Sequence, residues 1–336
     1  MWKGQAVQRT DSGQRDLETL RRRRRYAGAA VAAFVAAGLV VLSDVVRLDH
    51  WTPFAQVIAF RAVFVVALAI AGVGLMFGRR PAVRWAAAAG LLACVLAAGS
   101  MAHRTIPDPG LEGATGTLTV ATINVKGGSA SVDEVAAVIM NSNADLVALP
   151  EAGEEFRLLL EEALGDGYTG VSLQLTDAAV DAVSVLYRTD LGAVSAEPSI
   201  EGSFPIWELT GGELGALRFL AFHAYPPLPF ATDRWRSDLE GLQGVCRSGE
   251  GAIIAGDFNA TLDHSALRTV MDGCADAAAS TGDGLHGTWP ASAPGLLRTQ
   301  IDHVFTTDGL QADSVSFTEI DGTDHLAVVA QIAVGS

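Results

Sequence analysis

Ala252-Ile253-Ile254-Ala255-Gly256-Asp257-Phe258-Asn259-Ala260-Thr261 runs from four apolar residues into an acid and an amide two positions apart. The short apolar run reads as a buried strand. Asp257 falls at its end, where a buried carboxylate is costly unless it is paired or meets a cation. On an extended chain, residues two apart point the same way, so Asp257 and Asn259 should face one place. One can orient or deprotonate a water while the other donates a hydrogen bond to an anionic oxygen.

The same pattern recurs outward from this stretch. Thr122-Ile123-Asn124, Leu149-Pro150-Glu151, His223-Ala224-Tyr225-Pro226-Pro227, Gln300-Ile301-Asp302-His303 and Gly322-Thr323-Asp324-His325 each put a polar residue at or near the end of an apolar run. Strands are expected at Leu118–Ile123, Asp145–Leu149, Val183–Tyr187, Leu217–Phe222, Ala252–Ala255, His303–Phe305 and Leu326–Ile332. Helical spacing marks Ser131–Asn141, Glu154–Leu164, Asp233–Val245 and Ser265–Val270. The mixture predicts an α+β body, with a two-layered sheet core flanked by helices rather than an open parallel sheet. Its strand ends should converge on one charged site.

Residue types narrow the chemistry. Three cysteines, one of them inside an apolar segment, exclude a Cys-rich zinc or iron–sulfur centre. Oxygen donors such as Asn124, Glu151 and Asp324 suit a hard cation, Mg2+ or Mn2+ before Zn2+. His223 and His325 supply donors for charge building on a phosphoryl group. The chain has no Gly-rich phosphate loop with a lysine, which argues against a nucleotide triphosphatase.

Taken in order, these segments resemble the successive motifs of the endonuclease/exonuclease/phosphatase superfamily, over residues 117–334. That group includes DNase I-like nucleases, sphingomyelinases and inositol polyphosphate 5-phosphatases. The resemblance implies a DNase I-like four-layer α/β/β/α sandwich. It implies that Glu151 binds the catalytic Mg2+ with Asn124 beside it, and that Asp324 joins the metal shell. Asp257 would activate the attacking water, and Asn259 would hold the scissile phosphate. His223 would contact that phosphate, Asp302 would orient His325, and His325 would contact the phosphate or serve as acid/base partner. Thr323 stands where the family more often has Ser, and it keeps the hydroxyl.

The N-terminal part has a different character. Residues 1–102 carry 13 Lys and Arg against 5 Asp and Glu, whereas the remainder carries 10 against 33. Three apolar stretches, Tyr26–Val46, Phe54–Phe77 and Trp85–Met101, approach the roughly 20 residues needed to cross a bilayer. The expected organisation is a basic cytoplasmic N-terminus (1–25), an anchor of three transmembrane helices (26–102), a short tether (103–116) and the catalytic domain (117–336). Arg21–Arg25, Arg79, Arg80 and Arg84 place the N-terminus and second loop in the cytoplasm, and the catalytic domain outside. The protein should then be a multi-pass membrane protein with the lipid bilayer as a partner. Arg61 either pairs with Asp44 or snorkels, a structural part in both cases.

Several residues also have plain structural readings. Glu154 and Glu155 suit the first turn of a helix. Trp289 is either an aromatic near the site or a packed core residue. His264, His286 and His303 read as surface or core, and neither His50 nor His103 has a ligand partner nearby in sequence. Cys246 and Cys274 form either a disulfide or two separate thiols.

An acidic body with ten scattered basic residues is ill suited to gripping a duplex, which relies on Lys and Arg contacts to phosphates. The expected substrate is therefore a phosphorylated lipid-linked or small molecule, with nucleic acid disfavoured. The layout resembles membrane-bound, teicoplanin-resistance-associated bacterial members, which points to a lipid-linked pyrophosphate of the cell envelope. The alternatives are an extracellular nuclease and a catalytically inactive binding or sensor module.

Overall fold

The computed structural model describes residues 4–200, 202–307 and 309–335. The chain divides into two compact units, one of Met1–Leu42 with Ala62–Gly99, the other of Ser43–Arg61 with Ser100–Ser336. The N-terminal helices are α1 (Gly4–Val41), α2 (Phe54–Ile58), α3 (Arg61–Met76) and α4 (Pro81–Ala102). Of the basic stretch 1–25, residues 1–3 and the side chains of 4–18, 20 and 23 lie outside the described residues.

The first unit consists of α1, α3 and most of α4. Small residues let its helices approach closely. A Cβ added at Gly90 would lie 2.6 Å from the Phe34 ring, and one at Gly72 2.9 Å from Leu91. Val66, Ile70, Trp85 and Val95 are exposed, so the apolar character extends to the outside of the helices. Arg24–Val41 and Pro81–Thr105 are long and apolar enough to cross a membrane, while Arg61–Met76 is shorter. The single apolar stretch expected over 54–77 is thus broken. The chain turns at Ala59–Phe60 and restarts at Arg61, whose buried guanidinium is held by Asp44 and Asp263, each at 3.2 Å. The expected anchor of 26–102 is interrupted accordingly, because Ser43–Arg61 folds with the second unit.

The second unit is a sandwich. Its strands are β1 (Gly116–Thr122), β2 (Leu146–Pro150), β3 (Tyr168–Gln174), β4 (Ala182–Arg188), β5 (Val194–Ser199), β6 (Ile206–Gly211), β7 (Arg218–His223), β8 (Ala252–Asp257), β9 (Ala275–Asp276), β10 (Asp302–Thr306), β11 (Leu310–Thr318) and β12 (Ala327–Val334). One sheet has the order β11-β12-β1-β2-β4-β3, the other β5-β6-β7-β8-β10-β9. Each is mixed, with β1 parallel to β2 and β7 parallel to β8. Its helices are α5 (Val132–Ser142), α6 (Glu154–Leu164), α7 (Thr232–Glu240), α8 (Ser265–Val270) and α9 (Ala277–Ser280).

Strand alternation builds the layers. Ile253 and Ala255 of β8 pack with Val120, Leu146 and Val185 between the sheets. Their neighbours Ala252 and Ile254 turn the other way, against Trp235 and Leu239 of α7 and Leu267 of α8. On the far side, Ala121, Val147 and Leu149 pack under Val135 and Ile139 of α5 and Phe156 and Leu160 of α6. The result is the expected α/β/β/α order, and Glu154 and Glu155 occupy the first turn of α6. The stretch expected to be a short tether, 103–116, lies along this body. Arg104 is buried and ion-paired with Asp263 at 3.0 Å, and the backbone of Asp108 and Thr115 bonds to Ser280 and Val334.

Candidate active site

The registers of the two sheets bring the polar strand ends together. In the second sheet His223, the last residue of β7, sits beside Asp257, the last of β8. Asp302, the first residue of the antiparallel β10, faces Asp257 from the other side. In the first sheet the parallel strands β1 and β2 run out at Asn124 and Glu151, and β12, antiparallel to β1, is entered through Asp324 and His325. All eight candidate residues therefore lie at one end of the sandwich.

Two glycines fix the loops. At Gly256 a Cβ would lie 1.8 Å from the Phe222 carbonyl oxygen, so no side chain fits between β7 and β8 just before Asp257. Gly322 has φ +88°, and its Cβ would meet the Ser129 carbonyl at 2.1 Å. That tight approach places Thr323, whose hydroxyl donates to the Asn124 carbonyl at 2.7 Å and accepts from His325 N–H at 3.2 Å. Glu151 and Asn259 are both left-handed, at φ 60° and 47°. Such backbone is uncommon for side-chain-bearing residues and clusters at functional sites.

Asp257 is the hub. Its Oδ2 accepts from Asn124 Nδ2 at 2.9 Å, its Oδ1 from Asn259 N–H at 2.8 Å, and Nε2 of both His223 and His325 stands 3.9 Å from Oδ2. Asn259 faces the same place as Asp257, but through a left-handed turn rather than the extended chain expected; its amide donates to the Ala224 carbonyl at 2.9 Å. Burial first, and the neighbouring Asp302 second, push the Asp257 carboxyl up to about 7.

His325 and Asp302 form a dyad, with Nδ1 of the ring 2.9 Å from Oδ2 of the acid. His223 has no such partner. It is stacked on Phe204 at 4.2 Å and its Nδ1 has no hydrogen-bond partner, and burial draws it down to about 3. One histidine is thus an imidazolium and the other a neutral ring.

Glu151 accepts from Asn124 Nδ2 at 3.1 Å, and burial raises its carboxyl despite that bond. Asp324 accepts from Trp289 Nε1 at 3.2 Å, and Lys126 Nζ stands 3.6 Å from its other oxygen. Four carboxylates thus face one imidazolium and one lysine, a donor set of hard oxygens short of positive charge, which fits a divalent cation. Ligand atoms of Asp257, Asp302 and His325 also lie within 4.8 Å of one another, a spacing that could hold a metal ion. Nδ1 of His325 is already committed to Asp302, so the hydrogen-bonded dyad describes that trio better.

Some residues of the site carry no legible signal. Thr288 donates from its hydroxyl to Asp302 at 2.6 Å and receives Asp302 N–H at 3.2 Å. Asp238, buried on α7, accepts from Tyr225 N–H and Ser203 N–H, both at 2.8 Å, and so fixes the loop after His223. Thr288 belongs to the Gly287-Thr288-Trp289-Pro290 motif, which drew attention only to its tryptophan. Elsewhere, Cys246 and Cys274 are joined as a disulfide. His264 and His303 are core residues, and His286 stacks on Phe317. His50 does have partners, Ser265 Oγ at 3.0 Å and Arg236 at 3.3 Å. A cavity of about 460 Å3, lined among others by Asp108, Leu111, Ser280 and Thr307, gathers none of the candidate residues.

The chain belongs to the endonuclease/exonuclease/phosphatase family, whose model matches residues 121–325. It is a hydrolase that acts on phosphoester bonds. Among solved structures its fold is similar to D. rerio TDP2 complexed with a single-strand DNA product, at 15% identity and TM-score 0.51, covering 65% of this chain and 99% of that one. Truncated Caenorhabditis elegans TDP2 is similar at 14% identity and TM-score 0.51, covering 65% and 98%. A Bacteroides thetaiotaomicron mannosyl-6-phosphatase covers 64% of this chain and 99% of its own, at 16% identity and TM-score 0.48. At such identities the likeness concerns the fold alone. No curated protein matches the chain.

Proposed function

We propose that the chain is a divalent-cation-dependent phosphoester or pyrophosphate hydrolase that works at the outer surface of a membrane, on a lipid-linked or small phosphorylated substrate. The observation that carries the reaction is the hub at Asp257, a buried carboxylate with its pKa near neutrality, flanked by one charged and one neutral histidine. A base of that pKa takes a proton from water close to neutral pH. Asn124 and Asn259 hold the carboxylate so that its free lone pairs face the water. That water attacks phosphorus in line, opposite the leaving oxygen. The His325 imidazolium, kept charged by Asp302, stabilises the growing negative charge on the phosphoryl oxygens. Nε2–H of His223 adds a neutral donor.

Glu151 and Asp324 are the residues that would hold Mg2+ or Mn2+, and the cation would neutralise phosphoryl charge. Asn124 was expected among the ligands. Its Oδ1 accepts from Lys126 N–H at 2.9 Å, which turns its Nδ2 toward Glu151 and Asp257. We therefore assign it to positioning both carboxylates.

Three features support the membrane reading: two helices of spanning length, a third apolar helix, and the surplus of acids in the hydrolase body. That surplus also weighs against nucleic acid as substrate. The orientation follows from the arginines that flank the apolar helices. Phosphate release by the purified full-length protein tests this, on DNA, phospholipid, polyprenyl pyrophosphate and sugar phosphates, with and without Mg2+. We expect Mg2+-dependent release from the lipid-linked substrates. Efficient plasmid nicking without any lipid phosphate turnover would establish the nuclease reading instead.

A further inference from the structure

Ser43–Arg61 leads out of α1 and into α3, yet its polar groups are tied to the hydrolase body rather than to solvent. Asp49, fully buried, accepts from both the backbone N–H and the hydroxyl of Ser265, the latter at 2.8 Å. The Ala55 carbonyl accepts from Nε2–H of His264 at 2.8 Å, a tautomer set by Thr261 N–H, which donates to Nδ1 of the same ring. The Ala59 carbonyl accepts from the Thr299 hydroxyl at 2.7 Å. Gln56 donates to the Pro227 carbonyl, and Arg61 pairs with Asp263. Ala55 is buried in the same cluster as Phe222 and Phe258.

The partners are not scattered over the body. His264 and Ser265 close the loop that opens at Asp257 and Asn259. Thr299 lies three residues before Asp302, and Pro227 lies in the loop that follows His223. One short segment therefore braces three of the loops that carry the site. Backbone carbonyls and a buried carboxylate make poor partners unless geometry is closely held, since each bond left unmade costs the desolvation of its group.

We infer that Ser43–Arg61 is a positioning element of the active site, so that turnover depends on this segment being seated against the loops of Asp257 and Asp302. The inference rests on the hydrolytic reading of that site. A misplacement of about 1 Å in a catalytic group can cost about a hundredfold in rate, so even partial release should register in turnover.

The test uses the full-length protein in detergent, with p-nitrophenyl phosphate and bis(p-nitrophenyl) phosphate as probes in Mg2+. Thr299→Val keeps the shape and removes the hydroxyl that reaches Ala59, whereas Thr299→Ser keeps it. Asp49→Asn presents an amide to the Ser265 donors. Thr299→Val and Asp49→Asn should lower kcat by about tenfold with KM within about twofold, and Thr299→Ser should stay within about twofold of the parent. Amide exchange read by mass spectrometry, which needs no substrate, should rise about tenfold in 258–266 and 297–303 of the two damaging variants and stay unchanged in β1 and β2. Unchanged kcat in both variants, or exchange that rises evenly over the whole body, overturns the inference. Hydrolysis that survives Asp257→Asn overturns the assignment of the site itself, and the exchange result then decides the role of the segment alone.

Discussion

Nδ1 of His325 lies 2.9 Å from Oδ2 of Asp302, while the other nitrogen of the same ring looks toward Asp257 at 3.9 Å. Asp302 therefore acts on both partners at once. It raises the imidazole by attraction, and it raises the Asp257 carboxyl by repulsion.

Replacing Asp302 by Asn should shift both limbs of the pH–rate profile in the same direction. The rising limb reports deprotonation of Asp257, and without the neighbouring negative charge it should move to lower pH. The falling limb reports loss of the His325 proton, and without its counter-ion it too should move to lower pH. The turnover itself should fall by about a hundredfold or more, as expected for a lost acid–base or charge-stabilising group. kcat measured across pH in the parent and in Asp302→Asn checks this, and limbs that move apart would contradict the shared role.

Glu151 and Asp257 should respond differently to cation supply. Glu151→Gln removes a charged ligand while keeping its shape, so activity should fall by about tenfold or more and recover in part at high Mg2+. Asp257→Asn removes the base, and no Mg2+ concentration should restore it. Titration of both variants with Mg2+ separates the roles, and an identical response would merge them.

His303 offers a test of stability rather than activity. Its Nδ1 meets Asp276 Oδ2 at 2.7 Å and its Nε2 meets the Ala260 carbonyl at 2.9 Å, so both nitrogens donate. Burial would lower this histidine, but Asp276, the Ala260 carbonyl and Asp302 together outweigh it and the net shift is upward. A raised pKa means that the folded state holds the proton more tightly than the unfolded chain does. The stabilisation is complete below the unfolded value of about 6.5 and is lost as pH rises through the folded value. The gap in urea midpoint between the parent and His303→Gln should therefore be widest at pH 6 and narrow as the solution becomes alkaline. A gap that does not change with pH would show the pair to be uncharged.

The proposed topology puts the hydrolase body outside the cell. Ser195 is exposed on β5 and the native cysteines are buried or disulfide-bonded. A cysteine placed at Ser195 should react with a membrane-impermeant maleimide in intact cells. Labelling only after lysis would reverse the orientation.

Much of the site could be read before any fold was known, because each of its main residues lies at or near one end of an apolar run. Central strands such as β2 and β8 are nearly continuous apolar stretches. The strands that escaped notice are different. β3 and β5 lie at sheet edges and are half-buried or exposed along their length, with Thr, Gly, Ser and Gln in β3, and Ser, Glu and Pro in β5, among positions where a core strand would carry Val or Ile. β11 is interrupted by a bulge between Ala312 and Ser314. Thr288 and Asp238 were invisible for another reason. Their work is to hold backbone and side-chain groups distant in sequence, and nothing in their sequence neighbourhood announces those partners. Arg61 shows the reverse failing. Its pairing with Asp44 was one of two open readings, but its second carboxylate, Asp263, lies 202 residues away, and only the folded chain brings it near.

Thr299 and Ala59 are separated by 240 residues, and Ser265 and Asp49 by 216. Chains are made from the N-terminal end, so the segment that braces these loops is synthesised well before the loops themselves. Asp49 and the Ala55 carbonyl have only water or other transient partners until His264 and Ser265 are made, and the Ala59 carbonyl until Thr299 is made. The segment must wait for its cover, and contacts of such long range are slow to close. A nascent chain that stalls before Thr299 can already hold every helix of the first unit and most of the sandwich. It still lacks the bond from the Thr299 hydroxyl to the Ala59 carbonyl.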